Sequence, residues 1–126
     1  MNSILTLRPL LERAWSSQTT WCPENYQYKD KAWGQCGVTS LWLQQFYGAT
    51  LMEGIAVVRL YRNSSSWSRH RHFWVRVHGV DVDLTARQFP VGTEVQQETE
   101  TVPEALLTNG FFTSRYNTFK KRMEVK

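Results

Sequence analysis

The chain has 126 residues, 41% hydrophobic and 13% aromatic, enough for one domain (residues 1–126) with a core that needs no staples. Two cysteines, Cys22 and Cys36, exclude the disulfide framework of a small secreted domain, although a single bridge between them is conceivable. The net charge of +4, from 15 basic and 11 acidic residues, is a mild excess that reads as a solvated surface and makes a poor case for a dedicated polyanion binder.

Arg8 and Glu12 interrupt the apolar residues at the start and no small-residue cleavage signal follows, so residues 1–15 do not read as a signal peptide. No run approaches the ~18–20 apolar residues of a membrane span. The expectation is a protein of the reducing cytoplasm, where a free thiol survives, with no membrane partner. Much of the basic excess lies in Arg62, Arg69, Arg71 and in Lys120, Lys121, Arg122 and Lys126. With aromatics such as Trp67 these residues could hold a nucleic-acid strand by charge and stacking, but no recognised nucleic-acid motif accompanies them.

Residues 3–15 carry Ile4, Leu7, Leu10, Leu11, Ala14 and Trp15 at helical spacing, with Ser3 as cap and Pro9 marking where the helix proper starts. Residues 16–35 are polar and loop-like, with Trp21, Tyr26, Tyr28 and Trp33 interspersed, and form a candidate cleft wall. A helix is predicted over residues 36–47, with Val38, Leu41, Trp42, Gln45 and Phe46 on one stripe and Gly48 as its stop. Residues 55–61 read as a central strand, and residues 62–71 as a mobile loop. A further strand is expected over 92–99, a short helix over 103–108 between Pro103 and Asn109-Gly110, and a basic terminal helix over 114–123.

Cys36 opens the second helix, and a helix start favours a negative sulfur through its aligned peptide dipoles and unpaired N–H groups. A thiolate needs a base to exchange protons with, and the base needs orienting. From His72 to Thr85 the chain alternates around His78-Gly79, a two-residue break suited to a hairpin turn. This turn pairs Val77 with Val80, Arg76 with Asp81 and Val75 with Val82, and onward Trp74 with Asp83, Phe73 with Leu84 and His72 with Thr85. Phe73, Val75, Val77, Val80, Val82 and Leu84 then make an apolar face, while His72, Trp74, Arg76, Asp81, Asp83 and Thr85 make the other. His72 and Asp83 become diagonal neighbours, roughly 7–8 Å apart at the backbone, so the carboxylate can hold one ring nitrogen and leave the other for Cys36.

The order helix, Cys-helix, strands, helices implies an α+β domain: an antiparallel sheet of three or more strands packed against the N-terminal helix that bears the nucleophile, with flanking helices. Gly34-Gln35-Cys36, His72-Phe73-Trp74-Val75 and Asp83-Leu84-Thr85 resemble in this order the motifs of the papain-like and transglutaminase-like core. Closer still is a resemblance to the YunG-like family. It rests on Ala14-Trp15-Ser16, Gly34-Gln35-Cys36-Gly37-Val38-Thr39-Ser40-Leu41, Phe46-Tyr47-Gly48, His72-Phe73-Trp74 and Asp83-Leu84-Thr85-Ala86-Arg87-Gln88-Phe89, with Arg115-Tyr116 extending it. The resemblance implies a thiol-dependent fold with the triad Cys36, His72 and Asp83, and implies no substrate. Gly37 departs from the pattern, where a small residue such as Ala is expected, at a cost in helix propensity.

Each assignment has a rival. A free cysteine is most often a buried structural thiol, His70 and His78 compete with His72, and Asp81 shares the face of Asp83 but is better placed to pair with Arg76. The Cys36 backbone N–H is the first oxyanion donor, with Gln35 and Gln27 as side-chain candidates, and Trp33 and Trp74 as substrate contacts. A metal site of Cys22, Cys36, His70 and His72 lacks paired-ligand spacing, so neither metal nor cofactor is expected. The reading that follows is a Cys-His-Asp amide hydrolase or acyltransferase, a peptidase, deamidase or transglutaminase-like enzyme, acting on a protein or peptide through a thioester. The alternative is a non-catalytic binding module on the same fold that docks an acidic protein or nucleic acid through residues 62–71 and the terminal helix.

Overall fold

The structure, a computed structural model, describes residues 4–24, 26–59 and 67–124. Ser3, Lys126, Arg62, the end of the expected strand (residues 60–61) and residues 62–66 of the expected loop lie outside them. A 3-10 turn over Ile4–Leu7 leads into helix α1, Arg8–Ala14, whose first turn contains Pro9, where a missing N–H costs nothing. Leu11, Ala14 and Trp15 turn inward, whereas Leu10 faces solvent. Helix α2 spans Cys36–Tyr47 and stops at Gly48, whose φ of 83° makes the left-handed C-terminal cap that the glycine foretold. Its buried stripe is Val38, Leu41 and Leu43, while Phe46 is exposed.

Strands β1 (Thr50–Arg59), β2 (Trp67–Val77), β3 (Val80–Val82) and β4 (Glu94–Glu100) form one antiparallel sheet in the order β3-β2-β1-β4. The chain is therefore α+β, with a four-stranded antiparallel sheet and several helices. His78 and Gly79 both take positive φ, 51° and 78°, as the two-residue hairpin turn requires. The register is Val77 with Val80, Arg76 with Asp81 and Val75 with Val82.

Two expectations are corrected. Pairing of β2 with β3 ends at Val75 and Val82, because Asp83 Oδ1 accepts the Thr85 N–H at 3.1 Å and turns the chain off the strand toward a 3-10 turn at Ala86–Gln88. Residues 67–71 are strand and not loop, since β1 starts at Thr50, five residues before the expected strand, and pairs with β2 as far as Arg59 with Trp67. His70, opposite Ala56, is thus held in the sheet. Gly54 lies where the β1–β4 register shifts; a Cβ there would approach Val95 at 2.8 Å and the Gln96 carbonyl at 3.0 Å.

Helices α3 (Glu104–Leu107) and α4 (Gly110–Glu124) complete the chain. The terminal helix starts earlier than expected because the Asn109 carboxamide accepts the Phe112 N–H at 3.0 Å, a side-chain cap. Leu51, Phe73, Val75 and Leu84 from the sheet side share one core with Leu11 and Trp15, Val38 and Leu41 of α2, and Phe112, Tyr116 and Phe119 of α4. Of the predicted apolar hairpin face, Val77 and Val82 pack at its edge and Val80 is exposed at the turn. Among the described residues, no helix is long and apolar enough to cross a membrane.

Candidate active site

The start of α2 is placed by the loop before it. Gly34 has φ of 71°, and its N–H donates to Gln88 Oε1 at 3.0 Å. A Cβ at Gly34 would fall 2.0 Å from Thr20 Oγ1 and 2.9 Å from the Cys22 nitrogen, so only glycine lets the two stretches of loop close on each other. Gln35 is fully buried; its Oε1 accepts from Thr19 Oγ1 at 2.8 Å and its Nε2 donates to the Ser16 carbonyl at 3.0 Å and to the Tyr26 hydroxyl at 3.4 Å. Cys36 follows as the first residue of the helix, 7% exposed, with first-turn N–H groups that have no intrahelical acceptor. Gly37 is explained by packing, since a Cβ there would meet the Phe112 ring at 2.7 Å.

His72 projects from β2 and is 1% exposed. Its Nε2–H donates to Asp83 Oδ2 at 2.5 Å, and Asp83 Oδ1 accepts from the Thr85 hydroxyl at 3.2 Å as well as from the Thr85 N–H. Gln88 Nε2 donates to Thr85 Oγ1 at 3.0 Å. One chain of hydrogen bonds thus runs from His72 through Asp83, Thr85 and Gln88 to Gly34, two residues before the thiol. Trp74 stacks on the His72 ring at 5.7 Å and 23°, and Phe89 meets it edge-on at 5.1 Å.

Burial by itself pushes the His72 pKa down. The Asp83 carboxylate, which hydrogen-bonds to the ring, and then the nearby Cys36 sulfur oppose burial, and together they push it up to about 10. A pKa in that range keeps the ring protonated at neutral pH. Nδ1 of His72 is buried with no aligned hydrogen-bond partner, although the Cys36 thiol is close enough to affect its proton. A near but unaligned contact is common in catalytic pairs without substrate. His70 differs: burial, and then the charge of Lys29, lower its pKa, and its Nε2 is engaged with Ser68 Oγ at 2.9 Å. Among the described residues, no group of three or more His, Cys, Asp or Glu side chains is arranged to hold a metal ion.

Cys36 lines a cleft of about 60 Å³ with Trp21, Cys22 and Trp33 of the preceding loop, His70, Arg71 and Phe73 of β2, Gln88, Phe89 and Leu106 around it. Both cysteines are free, and burial, then the charges of Cys36 and Glu24, push the Cys22 thiol up.

The family model described as "YunG protein" matches residues 3–126. The chain belongs to the YunG family. It is similar to "Uncharacterized protein YunG" of Bacillus subtilis (strain 168), at 32% identity over 103 residues, which cover 78% of this chain and 73% of that protein. No solved structure matches the chain.

Of the residues singled out from the sequence of this YunG-family chain, Cys36, His72 and Asp83 come together, and Trp33 lines the same cleft. Trp74 braces the imidazole, and Asp81 pairs with Arg76 at 2.7 Å, as its position opposite that residue implied. Gln27 is exposed on the 3-10 turn Tyr26–Tyr28 and does not line the cleft, and the Gln35 amide is spent on the loop. Sequence reasoning missed Thr85, Gln88 and Phe89 as site residues. An Asp with a hydroxyl residue two positions on is a turn signal that could have drawn in Thr85. Gln88 carried no signal, since its partner Gly34 is 54 residues away.

Proposed function

We propose that the chain is a cysteine-dependent amide hydrolase or acyltransferase built on a papain-like/transglutaminase-like core. The observation that carries this reading is the buried His72 ring, held by Asp83 on Nε2, with Nδ1 left without an aligned partner and a thiol at a helix start near enough to act on the ring. In the reaction, the Cys36 sulfur attacks the amide carbonyl carbon, a C–S bond forms, and the carbonyl π pair moves to oxygen. The Cys36 N–H in the first turn of α2 is the donor for that oxyanion. When the intermediate collapses the C–N bond breaks, and the leaving nitrogen takes the proton from His72 Nδ1. Water or an amine then attacks the thioester carbonyl carbon and passes its proton to the same nitrogen, and the C–S bond breaks to release the acid or the new amide and return the sulfur to its starting state. Asp83 keeps the ring oriented and its charge balanced throughout.

The binding-module alternative has less to draw on. Arg71 is tied to Glu53 at 2.6 Å, and Arg122 in α4 donates to the Ala14 carbonyl at 2.7 Å, so two of the cations it would use are already engaged. The test is the rate of Cys36 alkylation by iodoacetamide at neutral pH in the folded protein, with His72→Ala and Asp83→Asn beside it. Rapid labelling at Cys36 that falls at least tenfold in both variants supports the reading. A thiol that labels only on unfolding, indifferent to His72, overturns it.

A further inference from the structure

The cleft beside Cys36 has a definite chemical character. Its walls are Trp21, Trp33, Phe73, Phe89 and Leu106, contributed by the loop before α2, by β2, by the segment after β3 and by α3. Among the described residues that line it, Arg71 is the one Lys, Arg, Asp or Glu, and it is paired with Glu53 at 2.6 Å and also reaches the Ala105 carbonyl at 3.4 Å, so its charge is already engaged. A charged substituent entering such a site loses its hydration with nothing to replace it, whereas an apolar one gains by the area it removes from water.

The rings are also held in place before anything binds. Trp21 packs against Phe112 at 5.5 Å and edge-on to Phe111 at 6.2 Å. Trp33 stands nearly perpendicular to Phe89 at 6.2 Å, with the Lys29 ammonium over the Trp33 ring, 4.9 Å from its centroid. Pre-ordered aromatic walls present faces and edges to an incoming ring at little entropic cost.

We propose that this cleft selects the acyl half of the substrate by a bulky, uncharged apolar side chain next to the scissile carbonyl, an aromatic ring above all. The selection rests on the thiol chemistry proposed above and refines it: the preferred donor is a main-chain amide following an aromatic residue, rather than the slender carboxamide arm of a glutamine. Trp33 is the residue on which the selection depends most, because it lines the cleft with Cys36 and packs edge-on against Phe89, another of its walls.

The test uses N-acetyl aminoacyl fluoromethyl ketones of Phe, Leu, Gln, Asp and Gly, whose ketone carbon takes the place of the scissile carbonyl and which alkylate the sulfur with loss of fluoride. Second-order labelling rates are read by intact mass, and the adduct is located by peptide mapping, with iodoacetamide as a probe that carries no side chain. The Phe compound is expected to label Cys36 at least tenfold faster than the Gln, Asp and Gly compounds, with Leu between, and the Phe-to-Gly ratio is expected to fall below threefold in Trp33→Ala. Equal rates for Phe, Gln, Asp and Gly at a Cys36 that reacts readily with iodoacetamide would sink the selection and leave the thiol chemistry standing. Faster labelling by the Gln compound would redirect the site to side-chain carboxamides. A Cys36 that none of these reagents, iodoacetamide included, labels before unfolding would remove both proposals together.

Discussion

Replacing Asp83 with Asn tests whether His72 is a buried cation held by a carboxylate. The substitution keeps an oxygen that can accept from Thr85 but removes the negative charge 2.5 Å from Nε2. A pKa raised from 6.5 to about 10 corresponds to about 5 kcal/mol of preference for the protonated ring, net of the burial that opposes it. The variant can limit its loss by dropping the proton. At pH 7 the recoverable ceiling is then the three units between about 10 and 7, about 4 kcal/mol, of which Cys36 supplies a share. The expected destabilisation at pH 7 is therefore about 2–4 kcal/mol, a large part of a total that is ~5–15 kcal/mol for a domain.

The sign with pH is fixed by the same shift. The folded pKa lies above the unfolded one, so the contribution is fully present below about 6.5 and is lost as pH rises through about 10. The gap in urea stability between the wild type and Asp83→Asn should be widest at and below about pH 6.5 and close toward pH 10.5. A titration of the His72 ring by its imidazole NMR shifts should place the wild-type midpoint near 10 and the variant's well below it, where burial is opposed by Cys36 alone. A wild-type ring that is neutral at pH 7 in the folded protein, or a stability gap independent of pH, would refute the reasoning.

Gly34→Ala puts a Cβ on a residue at φ 71° and 2.0 Å from Thr20 Oγ1; urea midpoints should show a loss of about 2 kcal/mol or more, and an unchanged midpoint would mean the loop closes some other way. Gly37→Ala gains about 1 kcal/mol of helix propensity but forces the Phe112 ring, stacked on Tyr116 at 5.9 Å, to shift. Thermal melts should show a net loss of about 1 kcal/mol, recovered when Phe112→Leu is added; a stabilised single variant would show the ring gives way freely. Gln88→Ala strands the Gly34 N–H and frees Thr85 Oγ1, so a loss of about 1–2 kcal/mol is expected together with faster amide exchange at Gly34 and Thr85. Exchange rates at those two amides equal to the wild type's would show that Gln88 does not tie the loop to the turn.

The parts of this fold that were legible in the sequence are those governed by local rules. The Cys36–Tyr47 helix follows from its apolar stripe and from Gly48, and the hairpin from His78-Gly79 and strict alternation; both have the boundaries or register their residues imply. What escaped is set by distant partners. The early start of β1 at Thr50 depends on pairing with β2, since Thr-Leu-Met-Glu-Gly carries no strong strand signal of its own and Gly54 argues against one. The Trp67–Arg71 stretch reads as loop because its polar residues alternate with nothing apolar, yet β1 supplies a ladder partner for every residue. Within the site, the meeting of Cys36, His72 and Asp83 was legible in the alternation, but the reason Asp83 reaches the ring was not. The ladder that was to deliver it ends at Val82, and a turn closed by Thr85 swings the carboxylate into place instead.

That turn bears on why the cluster is built this way. A buried imidazole kept only for packing would be expected to be neutral, with both nitrogens satisfied by fixed partners, because an unaligned polar nitrogen and a buried charge each cost free energy. His72 is the reverse: one nitrogen is tied to a carboxylate that is itself fixed by two bonds from Thr85, and the other is left unaligned toward sulfur. Gln88 then links the turn that carries the acid to the loop that delivers the thiol, so the three groups are positioned by a single connected network rather than by three independent elements. The fixed contacts thus gather on the Nε2 side of the ring, and the Nδ1 side has no aligned hydrogen bond among the described residues. A merely structural histidine gains nothing from that asymmetry, whereas a proton carrier needs both halves of it: a fixed back to hold the ring, and a free nitrogen to exchange its proton.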